Sequence, residues 1–559
     1  MITLNNINLS SIDLLGIDLR GIKLGLGGRG GGSSDGFPQL PGDVTRYHFG
    51  GLTNEMMAAM DDPRLEDADG KGRFLSFKNF AWGGMSGVGG YKFNFKNSSE
   101  WNISVVQVKE HNDNRIVINN RLNDVQLYYK DTSIKIVIKL TGVEENNSRL
   151  KIYDDIDSSK EQSYNKDGIY EIDYIANDGA NYVYFYITGG NYGELDLPIT
   201  IEQLPLYPGA LVFDGADDCG TCDNFPILTK EKGYTVVALR QYLVDKSTAY
   251  LTANGDSISN TSFILEGNNY RDTWNFGKAT TIQSSRILAT QTSKQYDGVK
   301  LNIGTNTEGS NLLQVGKWSK SYSNVAIWEL VFLDHDATEE ELTKIKDYFV
   351  KTYPWLFPDQ AWTVTGKTNE DEDRATIANI TGNGNDLVLS NLGFIEGSGY
   401  NEEGEYAGYL VTDGVDDKVV SAESIAFTDT WTIITDAIFL GEKVVSAGIL
   451  VKDIFGVSNL MEYGRVEVSV KGGVLLKVPT PSIKAICSDG RIYDADWNEY
   501  QAEPGTIKVS EGTLIIGMWY NGIQFCSIAF KNLGIYNNQL LSKDDCIKSY
   551  NYLQTLKAK

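Results

Sequence analysis

The sequence predicts an all-β chain of two related modules, one of them split by an inserted β-sandwich, behind a repetitive N-terminal segment. Three observations point there. The 559 residues include 57 Gly and 31 Tyr but only 12 Pro, a balance that suits many short strands joined by tight turns. A stretch of the first half recurs in the last third. Residues 2–24 keep a strict period of five.

The N-terminal segment comes first in the chain. Ile-x-Leu recurs at Ile2/Leu4, Ile7/Leu9, Ile12/Leu14, Ile17/Leu19 and Ile22/Leu24. Two apolar residues spaced by two share one face of an extended piece, and the small residues between units (Ser10, Ser11, Gly16, Gly21) allow bends. A helix would need spacings of three and four. Such a strip cannot bury itself alone, so Ile7, Leu9, Ile12, Leu14, Ile17, Leu19, Ile22 and Leu24 are read as an anchor and oligomer contact. The Gly-rich stretch Gly25–Gly36 behind it reads as a hinge.

The repeat defines the modules. Thr53–Tyr91 and Thr368–Tyr400 both run Thr-Asn-Glu, a Gly-x-Gly turn, an alternating strand, an Asn and a Gly-rich stretch ending in Tyr. Leu211–Asp218 (LVFDGADD) then matches Leu410–Asp417 (LVTDGVDD). Tyr91 and Asp214 lie 123 positions apart, Tyr400 and Asp413 only 13, so the first copy holds about 110 additional residues, a domain's worth. The boundaries follow: 1–36 anchor and hinge, 37–96 with 208–357 the first module, 97–207 the insertion, 358–559 the second module.

Within the insertion, Ile134–Ile138 and Tyr182–Tyr186 alternate as strands, Asp167-Gly168 marks a turn, and the last strand stops at Pro205. An immunoglobulin-like sandwich fits this length and pattern. Each module ends alike. Ala326–Phe332 is a strand, followed by the capping box Thr338–Glu341 and a helix with Leu342, Ile345 and Phe349 on one face. The second copy has Leu533–Tyr536, then the weaker box Ser542–Asp545 and Cys546, Ile547, Tyr550 and Leu553.

The Gly-x-Gly turns (Gly70–Gly72, Gly382–Gly384), the Asp-Gly-x-Asp-Asp segments and the strand-plus-helix ending resemble the concanavalin A-like, laminin-G-like jelly-roll superfamily. The layout, with an inserted sandwich ending in ITIEQLP, also looks like fibre proteins, of head or tail, from crAss-like tailed phages of Bacteroidetes. The resemblance implies two jelly rolls and a virion fibre that attaches to particle proteins and displays surfaces for host glycans. It leaves activity open, because that superfamily contains lectins, adhesion modules and glycosidases.

Residues suited to catalysis are sparse. Glycosidases of the resembled superfamily carry Glu-x-Asp-x-x-Glu on one strand, and retaining enzymes need two carboxylates about 5 Å apart. The nearest string, Glu171-Ile-Asp173, lacks the last acid and lies in the insertion, so it reads as a solvated strand face. His48, His111 and His335 are the three histidines and fall in different modules. Cys219 and Cys222 form one CxxC with no further ligand nearby, and with Cys487, Cys526 and Cys546 they make no disulfide framework. No cofactor is expected. Calcium at Asp214–Asp218 or Asp413–Asp417 is the minor alternative to acids capping their own turns. Trp82, Trp318, Trp497 and Trp519 are the tryptophans beside loop-like segments where a sugar could stack.

A net charge of -24 argues against nucleic acid as a partner. No run of about 18 apolar residues is present, which argues against membrane insertion, and no signal peptide is visible. The expected class is a non-enzymatic virion fibre or adhesion protein, made in the host cytoplasm and assembled as a homotrimer, with a dimer as runner-up. The rival is a secreted or surface glycan-active enzyme or carbohydrate-binding protein of a gut bacterium.

Overall fold

A computed structural model describes residues 36–91, the strands between 95 and 128, and 133–558. Stretches inside this span lie outside the description, the longest at 190–199, 268–286 and 301–309. The anchor residues Ile7 to Leu24 and most of the hinge lie outside it too. Strand counts below refer to the described residues. Strand accounts for 44% of the chain and helix for 9%, so the fold is all-β. No described helix is long and apolar enough to cross a membrane.

Each copy is built on one long strand that is buried except at one terminal Asn. In the first it is Asn324–Leu333, flanked on one side by Thr235–Tyr242 and on the other by Val44–His48 and Leu211–Asp214 in series. In the second it is Ile528–Asn537, flanked by Trp431–Phe439 and, in series, by Gln360–Thr363 and Tyr409–Val411. The same β-bulge interrupts both ladders, between Leu239 and Arg240 and between Asp436 and Ala437. Continuous apolar runs suit these strands because both faces of their sheet are covered.

The opposing sheets also match. The first copy orders Arg64–Glu66, Phe74–Lys78, Cys219–Cys222, Leu313–Val315, Tyr250–Asn254 and Ile264–Gly267. The second orders Thr376–Ile377, Leu387–Ser390, Lys418–Ser421, Leu514–Ile516, Ser446–Val451 and Phe455–Leu460, then adds Arg465–Val470 and Leu476–Val478. A separate apolar core fills each pair of sheets.

The described strands between 105 and 203 form two antiparallel sheets of their own, and none of these described strands joins the first copy's sheets. They leave the first copy after Gly87–Val88 and return before Leu211–Asp214, two strands that pair directly. In the second copy the same pair, Gly399–Asn401 and Tyr409–Val411, is a short hairpin. The extra chain is therefore accommodated at a hairpin end, where it disrupts no ladder.

Among the described residues, three α-helices complete the fold: α1 (Asn54–Ala58), α2 (Glu339–Thr352) and α3 (Lys543–Gln554). Thr338 accepts the Glu341 N–H while the Glu341 carboxylate accepts the Thr338 N–H, so the capping box opens α2 as its spacing predicts. Ser542 caps α3 by accepting the Asp545 N–H. Helices α2 and α3 lie between the two copies. Ile345 and Phe349 of one and Tyr550 and Leu553 of the other share a single core with Trp328, Val331, Ile434 and Tyr536.

Candidate functional site

The repeated loops are the first place to look, because both copies keep them in atomic detail. Asn54 in the first copy and Asn369 in the second act as clasps on an edge strand. Asn369 donates to the Tyr400 carbonyl and accepts the Tyr400 N–H, both at 2.8 Å. Asn54 does the same to Val88, at 3.1 and 2.7 Å. The amide side chain takes the place of a next strand. Structurally Tyr400 thus matches Val88, not Tyr91: the clasp sets the register three residues earlier than the sequence pairing. The adjoining Gly87 and Gly399 sit at φ +147° and +155°.

The acidic turns repeat as closely. Asp214 N–H donates to Asp218 Oδ2 and Asp413 N–H to Asp417 Oδ2, each at 2.9 Å. Asp214 Oδ1 accepts the Ala216 N–H, and Asp413 Oδ1 accepts that of Val415. Ser86 donates to the buried Asp218 at 3.0 Å. Burial pushes the Asp218 carboxyl up to about 7 and raises that of Asp417. Three carboxylates do cluster in each turn. Yet at each turn the first and last aspartates already accept backbone N–H groups, the arrangement by which an aspartate caps its own turn.

Each copy also holds a charged cluster in its core. Glu329 in the first copy meets His48 Nδ1 at 2.5 Å, Tyr353 at 3.1 Å, Tyr348 at 3.3 Å and Arg46 at 3.6 Å. Glu329 and Arg46 are at most 1% exposed, and only His48 reaches solvent. Burial drives the Tyr353 phenol far up, so it stays neutral. In the second copy Asp436 accepts from Tyr409 at 3.1 Å and Gln554 at 2.6 Å, with Lys484 4.0 Å away. Glu329, Arg46, Asp436 and Lys484 are all buried and paired, and pairing is what a buried charge requires.

The other residues singled out from the sequence fall into structural roles. His335 contacts Glu341 at 3.0 Å and Asp334 at 3.3 Å, bracing the start of α2. Its carboxylate neighbours raise its pKa against the opposing effect of burial. Cys219 and Cys222 are buried on one strand, three positions apart, so their thiols point to opposite faces. Burial raises both. Trp82 is half-buried and stacks on Phe80, Trp318 donates to Thr261, and Trp497 packs edge-on against Tyr550. Trp318 and Trp497 are too buried to stack a sugar. Glu171 and Asp173 lie on the strand Gly168–Ile175, and their side chains are outside the described set, as are His111 and Trp519.

Among the described residues there is also an open groove that sequence reading missed. It has a volume of about 800 Å³ and runs where α2, the linker Leu356–Asp359 and the second copy meet. Ile287, Leu288 and Phe357 supply apolar wall, and Thr381, Asn383 and Gln539 polar wall. A second depression of about 310 Å³ shares Val350, Asn538 and Gln539 with it. Second-copy amides hold the linker in place: Asn383 donates to the Asp359 carbonyl at 2.8 Å and Gln539 to that of Phe357 at 3.1 Å. The Asn537 N–H donates to Asp359 Oδ2 at 2.6 Å, and burial raises that carboxyl. The side-chain oxygens of Asn537 and Gln539 are buried in this wall and accept no hydrogen bond within the protein.

No protein-family model matches the chain, and no curated protein matches it. Among solved structures it is similar to the binding domain of botulinum neurotoxin serotype D, at 11% identity and TM-score 0.25, over 34% of this chain and 51% of that one. It is similar to Trypanosoma rangeli sialidase in complex with sialic acid, at 9% identity and TM-score 0.24, over 86% and 91%. It is also similar to truncated AlyQ with its CBM32 and alginate lyase domains, at 10% identity and TM-score 0.16, over 59% and 92%. The chain spans about half the length of the neurotoxin domain.

Proposed function

We propose that this chain is a non-enzymatic adhesion subunit, a fibre component of a virus particle, held by its N-terminal Ile-x-Leu segment and presenting its β domains to a host surface. One contrast carries the reading: the Glu329 and Asp436 clusters are closed inside cores, while the open groove is walled mainly by amides, hydroxyls and apolar groups, with Lys346 and Asp359 as its charged side chains. That arrangement suits recognition rather than proton transfer, for which a group must reach the substrate. The amphipathic anchor followed by a Gly-rich hinge supports attachment at one end and display at the other.

Burying an Ile or Leu is worth roughly 1.5–3 kcal/mol, so the repeated pairs of the anchor supply ample drive for association. A homotrimer is the expected assembly, since closed cyclic symmetry buries every copy of the strip equally. Removing residues 1–24 is expected to leave soluble, folded domains that no longer trimerise or join particles. Full-length protein running as a monomer at micromolar concentration, or truncated protein incorporating normally, would overturn the anchor. Turnover of a glycan by pure protein, abolished by changing one carboxylate, would replace this reading with the glycan-active enzyme.

A further inference from the structure

We propose that the groove between the two copies is a binding site for a neutral glycan chain; this deepens the adhesion reading and rests on it. The first argument is shape. Two neighbouring depressions of about 800 and 310 Å³ share Val350, Asn538 and Gln539 as wall residues, so the concave surface extends beyond a single cup. Such a form suits a ligand of repeated units. The second is chemistry. The wall alternates aliphatic and aromatic groups (Ile287, Leu288, Phe357) with amides and hydroxyls (Thr381, Asn383, Gln539). A sugar presents the complement, with C–H faces on its rings and hydroxyls at its rim.

The third argument is charge. Lys346 and Asp359 are the charged side chains of the larger depression and have opposite signs, and the smaller depression adds Asp347, Lys351 and Asp545, again of both signs. The whole chain carries -24. An acidic polysaccharide would meet that field without a basic patch to offset it, so the glycan is neutral.

The site also explains a design feature of the duplication. No single copy contains it. Ile287, Leu288 and α2 come from the first, Asn383 and Asn537–Gln539 from the second, and the linker forms the seam. The shared apolar core fixes the two halves against each other, so the groove is preformed and little ordering opposes binding.

The test is affinity electrophoresis of the full chain through gels containing neutral polysaccharides (mannan, dextran, galactan, arabinan) or acidic ones (alginate, polysialic acid). At least one neutral polymer should retard the protein and neither acidic polymer should. Asn383→Ala and Gln539→Ala should each weaken retardation about tenfold or more, and Asn383→Trp, which fills the groove from an exposed position, should abolish it. Val474→Ser, on an exposed turn that does not line the groove, should change nothing. Thermal melting of each variant separates a lost site from a lost fold. Retention of binding in folded Asn383→Trp overturns the groove while leaving adhesion in place. Retardation by acidic polymers alone overturns the neutral class, and no retardation by any polymer overturns the proposal. None of these results bears on trimer formation or particle attachment, which the N-terminal truncation reads separately.

Discussion

Replacing Asn369 by Ala removes a clasp whose worth can be worked out from its contacts. The side chain makes two bonds of 2.8 Å to the backbone of Tyr400, a residue only 2% exposed. Alanine would leave one N–H and one C=O of a covered edge strand without partners. Each unmet buried group costs about 1–3 kcal/mol, and partial access of water at the edge lowers the sum, so a loss of about 2–4 kcal/mol is expected. The twin change, Asn54→Ala, acts on the half-buried Val88, whose groups water can reach better. It should cost less, about 1–2 kcal/mol. Asn369→Asp keeps the acceptor for the Tyr400 N–H and loses the donor, so it should fall between Ala and wild type. Gly399→Ala gives an independent handle: its Cβ would lie 2.5 Å from Asn369 Oδ1 and 2.7 Å from the Phe394 Cα, at φ +155°. It should open the same clasp. Urea unfolding reads the stability, and hydrogen exchange of peptides covering 399–411 reads the strand itself. If Asn369→Ala costs under about 0.5 kcal/mol and leaves that exchange unchanged, the view of the amide as a surrogate strand is wrong.

Asp218, with its pKa raised to about 7, holds its proton in the folded state above the pH at which an unfolded aspartate loses it. Its contribution to stability therefore falls as pH rises from about 4 to 7, and Asp218→Asn should flatten the melting temperature across that window. His335 and Glu341 act the other way at the start of α2. The His335 contribution, its pKa raised, is present at low pH and lost as pH rises through the folded value; that of Glu341, its pKa lowered, is lost as pH falls through its depressed value. Glu341→Gln should remove the Glu341 slope from pH-dependent melting curves and reduce that of His335, which keeps Asp334. Thr338→Ala should cost about 1 kcal/mol by unfolding, with the loss seen in hydrogen exchange at the first turn of α2.

What was legible in the sequence is what short-range chemistry controls. Alternation marked strands such as Ser133–Thr141 and Tyr182–Gly189, because side chains of a strand switch faces at each residue. The Thr338–Glu341 spacing marked the start of α2, because a capping box closes within one turn. The repeated Asp-Gly-x-Asp-Asp marked equivalent turns, because each aspartate bonds its own neighbourhood. Repetition itself located the added domain, since a hairpin can lengthen at its end without breaking a ladder. The register of the Gly-rich stretch was misjudged by three residues because it is set by Asn54 and Asn369, which act from more than thirty positions away.

The groove was not legible at all. Its walls come from residues 287–290, 346–359, 380–383, 537–539 and 552, and no local pattern ties these segments together. The same holds for Glu329, which meets His48 across 281 positions and Tyr353 across 24. The sequence by itself determined the all-β class, the duplication and the helix caps, because each depends on neighbours within a few residues or on direct comparison of like with like. Only the tertiary structure decided which charges are sealed and where the open surface lies, because both follow from how two folded copies bury one shared apolar face.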